Sequence, residues 1–189
     1  KFCDGLKLAS GELAETSKPL LCALAKQAER YDVPLAISTG THTEAEVAQA
    51  LDWLKGFNIE VVLMNCVSKY PAMIGDYNLE WPLKHQKKYW KVTIGLSDHT
   101  LESGLIDRGR GAVALGYTYF EKHFKLHDTP SDNPDAGHSL APDNFRLYID
   151  TIRQAEAKWL GVEKGLAPGE ESERVWMQRG TDGKRPRDA

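Results

Sequence analysis

IEVVLMNCV, residues 59–67, decides the fold class. From Val61 to Met64 the run is apolar without a break, a pattern that suits a strand covered on both faces rather than one with a solvated side. Such strands belong to parallel sheets clad in helices. Outward from it, VPLAIST (33–39) and KVTIGLS (91–97) read the same way, and GLKLAS (5–10) and GYTYFEKHF (116–124) complete a set of five strands. Helical periodicity fills the intervals. PLLCALAKQAERY (19–31) places Leu20, Leu21, Leu24, Ala25 and Ala28 on one face, and THTEAEVAQALDWLKGF (41–57) starts at Thr41 or Thr43 as N-cap and buries Val47, Leu51 and Leu54. A helix is expected across 78–90, and another across 101–115, where the glycines of IDRGRG (106–111) cost roughly 1 kcal/mol each relative to alanine. APDNFRLYIDTIRQAEAKWLG (141–161) is the clearest helix, capped by Asp143 or Asn144, with Phe145, Tyr148, Ile149, Ile152, Ala155 and Trp159 as its stripe.

Strands spaced by roughly 25 to 35 residues with helices between them are successive βα units. Either a doubly wound open sheet or part of a (β/α)8 barrel of the TIM type satisfies the pattern, and a whole barrel takes about 250 residues. Residues 1–162 are therefore read as an α/β domain of about five units, and 163–189 as linker or tail. The first strand pattern begins almost at Lys1, as expected of a piece of a longer chain.

Composition narrows the function classes. The 189 residues are 41% hydrophobic and 27% charged, enough for one sizeable core. A net charge of -3 without a basic block gives no electrostatic footprint for nucleic acid or an anionic membrane, and Lys184, Arg185 and Arg187 read as a solvated end. No window approaches the roughly 20 apolar residues of a membrane span, and no secretory leader pattern opens the chain, so a cytoplasmic protein is expected. Cys3, Cys22 and Cys66 are odd in number and lack CxxC spacing, which predicts reduced structural thiols.

In parallel α/β folds, residues after the C-terminal ends of strands converge on the site. Here that rim would collect Lys7, Ser10 and Glu12, then Ser38 and Thr39, then Asn65, Ser68 and Tyr70, then Ser97, Asp98 and His99, and finally Glu121 and His123. His99 and His123 stand 24 residues apart, one helix plus one strand, so they take equivalent places on strands about 4.8 Å apart. Two imidazoles so placed can share a divalent metal. Asp98, Glu121 or Asp135 could complete an N/O site suited to Mn²⁺, Zn²⁺ or Fe²⁺. Lys7, in an apolar strand, needs an anion, with a bound phosphate or carboxylate as the natural partner. His42, His85, His127 and His138 lack this placement and are read as surface residues.

KLASGE, ISTGT, NCVSKYP, GLSDHTL, AVALGYTYFEKHFKL and NPDAGHSLAPDNF, in this order from residue 5 to about 160, resemble the sialic acid synthase family. That resemblance implies a (β/α)8 barrel of which these are strands four to eight, and condensation of phosphoenolpyruvate with an N-acetylated hexose such as N-acetylmannosamine. It implies further that His99 and His123 bind a divalent metal, usually Mn²⁺, with Mg²⁺, Co²⁺ or Zn²⁺ as substitutes. Lys7, Ser10, Ser38, Ser68, Tyr70 and Ser97 would form the phosphoenolpyruvate pocket, Glu12 and Asp135, with Tyr70 as a further candidate, would face the sugar, and Glu121 would serve as an acid/base or supporting group beside the metal, with Lys7, Glu12 and Glu121 as the catalytic set. The full-length form would be a homodimer. The family's first three strands and its antifreeze-like C-terminal domain have no counterpart here, and Ser68 replaces an asparagine of some members. ASGE favours a neuraminate-type and NPDAGHS a pseudaminate-type sugar, so both stay open. The rival reading is a non-catalytic fragment or paralogue binding sugar, metal or a partner chain.

Overall fold

The computed structural model describes residues 3–89, 91–101, 105–159 and 169–178. Five strands, β1 (Leu6–Leu8), β2 (Leu35–Ser38), β3 (Val61–Cys66), β4 (Val92–Asp98) and β5 (Tyr119–Lys122), pair in parallel in the order of the chain. Helices α1 (Lys18–Tyr31), α2 (Glu44–Leu54), α3 (Leu83–Lys88) and α4 (Leu105–Ala114) make the crossovers, and α5 (Pro142–Trp159) follows β5. A doubly wound sheet reverses its strand order, and this one does not. It also curls. Four spacings of about 4.8 Å would hold β1 and β5 about 19 Å apart in a flat sheet, yet Lys7 Nζ of β1 lies 2.5 Å from Glu121 Oε2 of β5. The sheet is a half-barrel, which settles the choice between the two closures.

Its outer face packs on the helices: Leu8, Leu35, Ile37, Leu63, Ile94 and Leu96 meet Leu21, Ala25 and Ala28 of α1 and Val47, Leu51 and Leu54 of α2. α2 starts as expected at Thr43, whose Oγ1 accepts from Glu46 N–H while the Glu46 carboxylate accepts from Thr43 N–H. α4 and α5 form a second cluster through Val113, Tyr148, Ile152 and Ala155. Gly109 has a packing reason there: a Cβ on it would lie 3.3 Å from Ile152 Cγ1.

Some expectations shift. α3 spans six residues rather than the whole of 78–90, and Leu20 (46%) and Ile149 (40%) face solvent instead of joining their helices' buried stripes. Neither Asp143 nor Asn144 is the cap of α5. Pro142 begins the helix, Phe145 N–H donates to Ala141 O, and Asp143 lies in the first turn, where its charge complements the dipole. Within the expected tail, Glu170–Met177 form a helix, α6; residues 160–168 and 179–189, including the basic Lys184, Arg185 and Arg187, lie outside the described residues. No disulfide joins Cys3, Cys22 and Cys66. Among the described residues no helix is long and apolar enough to cross a membrane.

Candidate active site

Laterally paired residues share a face of a sheet, and the face alternates along each strand. Cys66, Ser97 and Glu121 form one paired row. Lys7 belongs to the same, concave face, since it pairs with Ala36, one turn of the pleat below Ser38 and two below Gly40. Asn65, Leu96 and Phe120, and above them Asp98 and Lys122, face the helices. The concave row is hydrogen-bonded: Ser97 Oγ donates to Glu121 Oε1 at 2.7 Å, and the other Glu121 oxygen takes the Lys7 ammonium. Burial pushes the Glu121 carboxyl up, but Lys7 and the Ser97 hydroxyl outweigh it and hold the group below the usual carboxylate value. The anion expected beside Lys7 is thus supplied within the chain, by Glu121.

His99 and His123 continue the same parity two residues past Ser97 and Glu121, and their rings meet edge to face with centroids 5.2 Å apart. His99 is fixed from behind. Its Nδ1 lies 2.8 Å from Val67 O, which assigns the proton to Nδ1 and leaves Nε2 with a lone pair. Its backbone N–H donates to Tyr77 Oη, and Tyr77 Oη donates to Ser97 O, so a tyrosine that the sequence reading overlooks locks the end of β4. Tyr70 covers the imidazoles, 4.4 Å from the His99 ring and 4.7 Å from that of His138.

His138 overturns its reading as a surface residue: it is 3% exposed, and its ring lies 4.5 Å from that of His123. Asp135, as expected, adjoins the cluster, with Oδ2 4.0 Å from His123 Nδ1 and Oδ1 3.5 Å from His138 Nε2. Burial, then the neighbouring His123, depress the His138 pKa to about 4, and burial likewise lowers that of His99. At neutral pH both rings are uncharged and present lone pairs, the donor set that a divalent transition metal takes. The residues therefore fit such a cation.

The hydroxyls divide. Ser68 Oγ donates to Ser10 Oγ at 2.9 Å, whereas the buried Ser38 Oγ has no hydrogen-bond partner among the described residues. Gly40 makes room for that pair; a Cβ there would stand 2.1 Å from Ser68 Oγ. Glu12 is bound instead to Ser17, which donates to it at 2.8 Å at the entry to α1. Asp98 cannot complete a site with His99 and His123: it faces the helices, fully buried, and accepts from Thr100 N–H and Oγ1 with Lys122 and Arg108 nearby. Asn65 also leaves the rim, binding Asn78 O, Tyr117 Oη and Trp81 Nε1. His85, the other histidine misread as exposed, is buried between Trp81 and Tyr89. A cavity of about 600 Å³ lined by Thr39, His42, Asn65, Ser68 and Trp81 opens beside the rim and touches none of the three clustered imidazoles.

This geometry has relatives. A pseudaminic acid synthase of Campylobacter jejuni is 36% identical over 152 residues, 80% of this chain and 41% of that one. An N,N'-diacetyllegionaminic acid synthase of Legionella pneumophila is 32% identical over 179 residues, 92% of this chain and 47% of that one. A crystal structure of an N-acetylneuraminic acid synthetase from Leptospira borgpetersenii, in complex with citrate, matches with a TM-score of 0.72 at 26% identity, covering 92% of this chain and 57% of that one. The chain spans about half the length of the curated relatives it matches. The model of the NeuB family matches residues 2–164, and with it the whole half-barrel and its imidazole cluster: the chain belongs to the NeuB family.

Proposed function

We propose that this chain forms the substrate rim of a synthase that condenses phosphoenolpyruvate with an N-acetylated hexose, N-acetylmannosamine or a close relative, giving a sialic-acid-type nonulosonate and inorganic phosphate. One observation carries the reading. A fixed ammonium, a carboxylate and a hydroxyl (Lys7, Glu121, Ser97) run on to the imidazole of His99, and the rings of His123 and His138 adjoin it on the same rim. Anion binding and divalent-cation binding thus lie side by side, as a reaction between a phosphorylated enol and an aldehyde requires.

In this reading the partly exposed Lys7 ammonium keeps Glu121 on one side and turns its remaining N–H donors to the ligand, and with the hydroxyls of Ser10, Ser38 and Ser68 it holds the phosphate and carboxylate of phosphoenolpyruvate. The partnerless Ser38 Oγ supports this, because a buried hydroxyl without a bond is stabilised when a ligand supplies one. His99 and His123 hold the divalent cation, Mn²⁺ or a substitute, which when bound supplies Lewis acidity to the sugar's aldehyde oxygen. Tyr70 walls the pocket over the imidazoles, and Asp135 and Glu12 are assigned to the sugar, Glu12 after its bond to Ser17 is exchanged. The methylene carbon of phosphoenolpyruvate bonds to the aldehyde carbon as the two π bonds break, water adds to the carbon bearing the phosphate and gives its proton to the former aldehyde oxygen, and the C–O bond to phosphate breaks as the new hydroxyl becomes the ketone, its proton leaving with phosphate. Glu121 is better suited to holding Lys7 and Ser97 in place than to taking a proton from that water. A carboxylate kept below its ordinary range is a weak base at neutral pH. Most of the acceleration then comes from positioning and fixed charge. The full-length protein is assigned to the cytoplasm as a homodimer.

The test is release of inorganic phosphate from phosphoenolpyruvate by the full-length chain carrying these residues, with Mn²⁺ and a panel of N-acetylated hexoses. Release that needs both sugar and metal is expected. Silence across the panel would overturn the synthase reading in favour of a binding role for the rim.

A further inference from the structure

Three donor groups converge where the expected pair of histidines accounts for only one. One nitrogen each from His123 and His138 and one oxygen of Asp135 all lie within 4.8 Å of one another. Ligands about 2.1 Å from a common ion stand about 3.0 Å apart when adjacent and about 4.2 Å apart when opposite. The observed separations of 3.5 Å (His138 Nε2 to Asp135 Oδ1) and 4.0 Å (His123 Nδ1 to Asp135 Oδ2) are therefore near those of a formed site.

His138 is aimed there by backbone, not by chance packing. After β5 the chain makes a loop and returns, so that Leu140 N–H donates to His123 O and Lys125 N–H donates to Leu140 O, a parallel bridge that sets Leu140 beside Phe124 and brings the turn before it to the end of β5. The turn before it is pinned at both ends: Lys125 Nζ donates to Ala136 O and Ser139 Oγ to Asp135 O. His138 Nε2 is left buried with no hydrogen bond among the described residues. An imidazole nitrogen held in that way, facing a carboxylate and two further imidazoles, is costly unless something occupies the space between them.

We propose that His138 is an added imidazole ligand, and that with His123 and Asp135 it holds the divalent cation; the His99 ring adjoins this group, 5.2 Å from that of His123, with its Nε2 toward Ser97 Oγ. The idea rests on the reading above only for the place of the site. Its consequence concerns ion choice. Imidazole donors suit Zn²⁺ and Fe²⁺ and, by the order of divalent affinities, Co²⁺ above Mn²⁺, while Mg²⁺ and Mn²⁺ prefer oxygen and water, so the added ring selects most strongly against Mg²⁺. It also recasts Asp135, which then reaches the sugar only through the ion it helps to hold.

The experiment is Co²⁺ binding by the metal-stripped full-length chain, followed by the visible absorption of the bound ion and repeated in competition with Mn²⁺ and Mg²⁺. His138→Phe keeps a ring against Tyr70, His138→Gln keeps a polar group, and thermal unfolding verifies that each variant folds. The parent is expected to bind one Co²⁺ per chain, with Mg²⁺ a poor competitor. Both variants should bind it at least about tenfold more weakly, with a shifted spectrum, a loss of the size that removing a metal-site group produces. Parent-like affinity and spectrum in a folded His138→Phe would overturn the proposal and leave the synthase reading standing. No Co²⁺ binding by the parent would overturn this proposal and the metal part of that reading together, while sugar-dependent phosphate release would still be measured separately.

Discussion

Gly40→Ala should damage the site through a single contact. The added Cβ would lie 2.1 Å from Ser68 Oγ, where ordinary contact begins at 3.4 Å, with Ser10 Cβ at 3.0 Å and Cys66 Sγ at 3.1 Å. Ser68 must move by about 1.3 Å or turn away, and in either case its 2.9 Å bond to Ser10 is lost. A lost hydrogen bond costs about 1 kcal/mol and overpacking typically ~1–3 kcal/mol. Both serines are only partly buried and water can replace the bond, so the hydrogen-bond cost largely cancels and the lower half of the overpacking range, about 1–2 kcal/mol, is expected. In urea unfolding this is a clear shift of midpoint at constant slope. Affinity for phosphoenolpyruvate should fall as well, since two of its proposed hydroxyls are displaced. Ser68→Ala removes the atom in collision, so in that background Gly40→Ala should cost half as much or less, and the double-mutant cycle should show the two sites coupled. Equal costs in the two backgrounds would refute the reasoning, because the penalty would then come from the backbone or from Cys66.

Other expectations concern charge and anchoring. Lys7→Met leaves burial as the chief influence on Glu121, so its carboxyl should titrate higher than in the parent; carboxyl ¹³C shifts of labelled glutamate read this directly, and an unmoved Glu121 would show that Lys7 does not hold it. Burial lowers the His85 pKa from 6.5, so as pH falls below that value the unfolded chain binds a proton that the folded one refuses, and stability drops. His85→Phe should flatten the fall in urea midpoint between neutral pH and about pH 5, and an unchanged slope relative to the parent would contradict it. Asn65→Leu removes three hydrogen bonds, two that tie Asn78 and Trp81 to the barrel wall and one to Tyr117, at about 1 kcal/mol each; a urea midpoint within error of the parent would mean that solvent takes over all three.

The half-barrel was legible because its strands and helices differ in apolar period. Val61–Cys66 is buried at every position, and Val47, Leu51 and Leu54 recur at helical spacing. Closure is not legible in the apolar period, since it depends on lateral strand order, which no local pattern carries; the barrel followed only from the resemblance of the ordered motifs, and the curl of the sheet bears it out. Leu20 and Ile149 sit at the margins of their stripes, where a rotation of the helix by a fraction of a turn decides burial. The start of α5 was missed for a simpler reason: Pro142, with φ preset for a first helical turn and no N–H to satisfy, outweighs the capping preference of Asp143 and Asn144.

Within the site, the period of two along a strand separates what sequence could say from what it misassigned. Residue 97 on β4 and 99 just past it, and residue 121 on β5 and 123 just past it, share a parity, and the pairing of Ser97 with Glu121 therefore carries His99 beside His123. Asp98 has the opposite parity, so its proximity to His99 in sequence is what keeps it out of the site, and the same count sends Asn65 and Lys122 outward. That rule was available from the sequence. The position of His138 was not, because it lies 15 residues past His123 on a loop with no repeating pattern, and only the return of the chain at the Phe124–Leu140 bridge brings the two rings together. Spacing arguments find ligands that the sheet positions; a ligand positioned by a loop is found only through its contacts. In His138 those contacts are a buried nitrogen without a bond, a facing carboxylate and a neighbouring imidazole, and they bear on its role whatever the periodicity of the surrounding sequence.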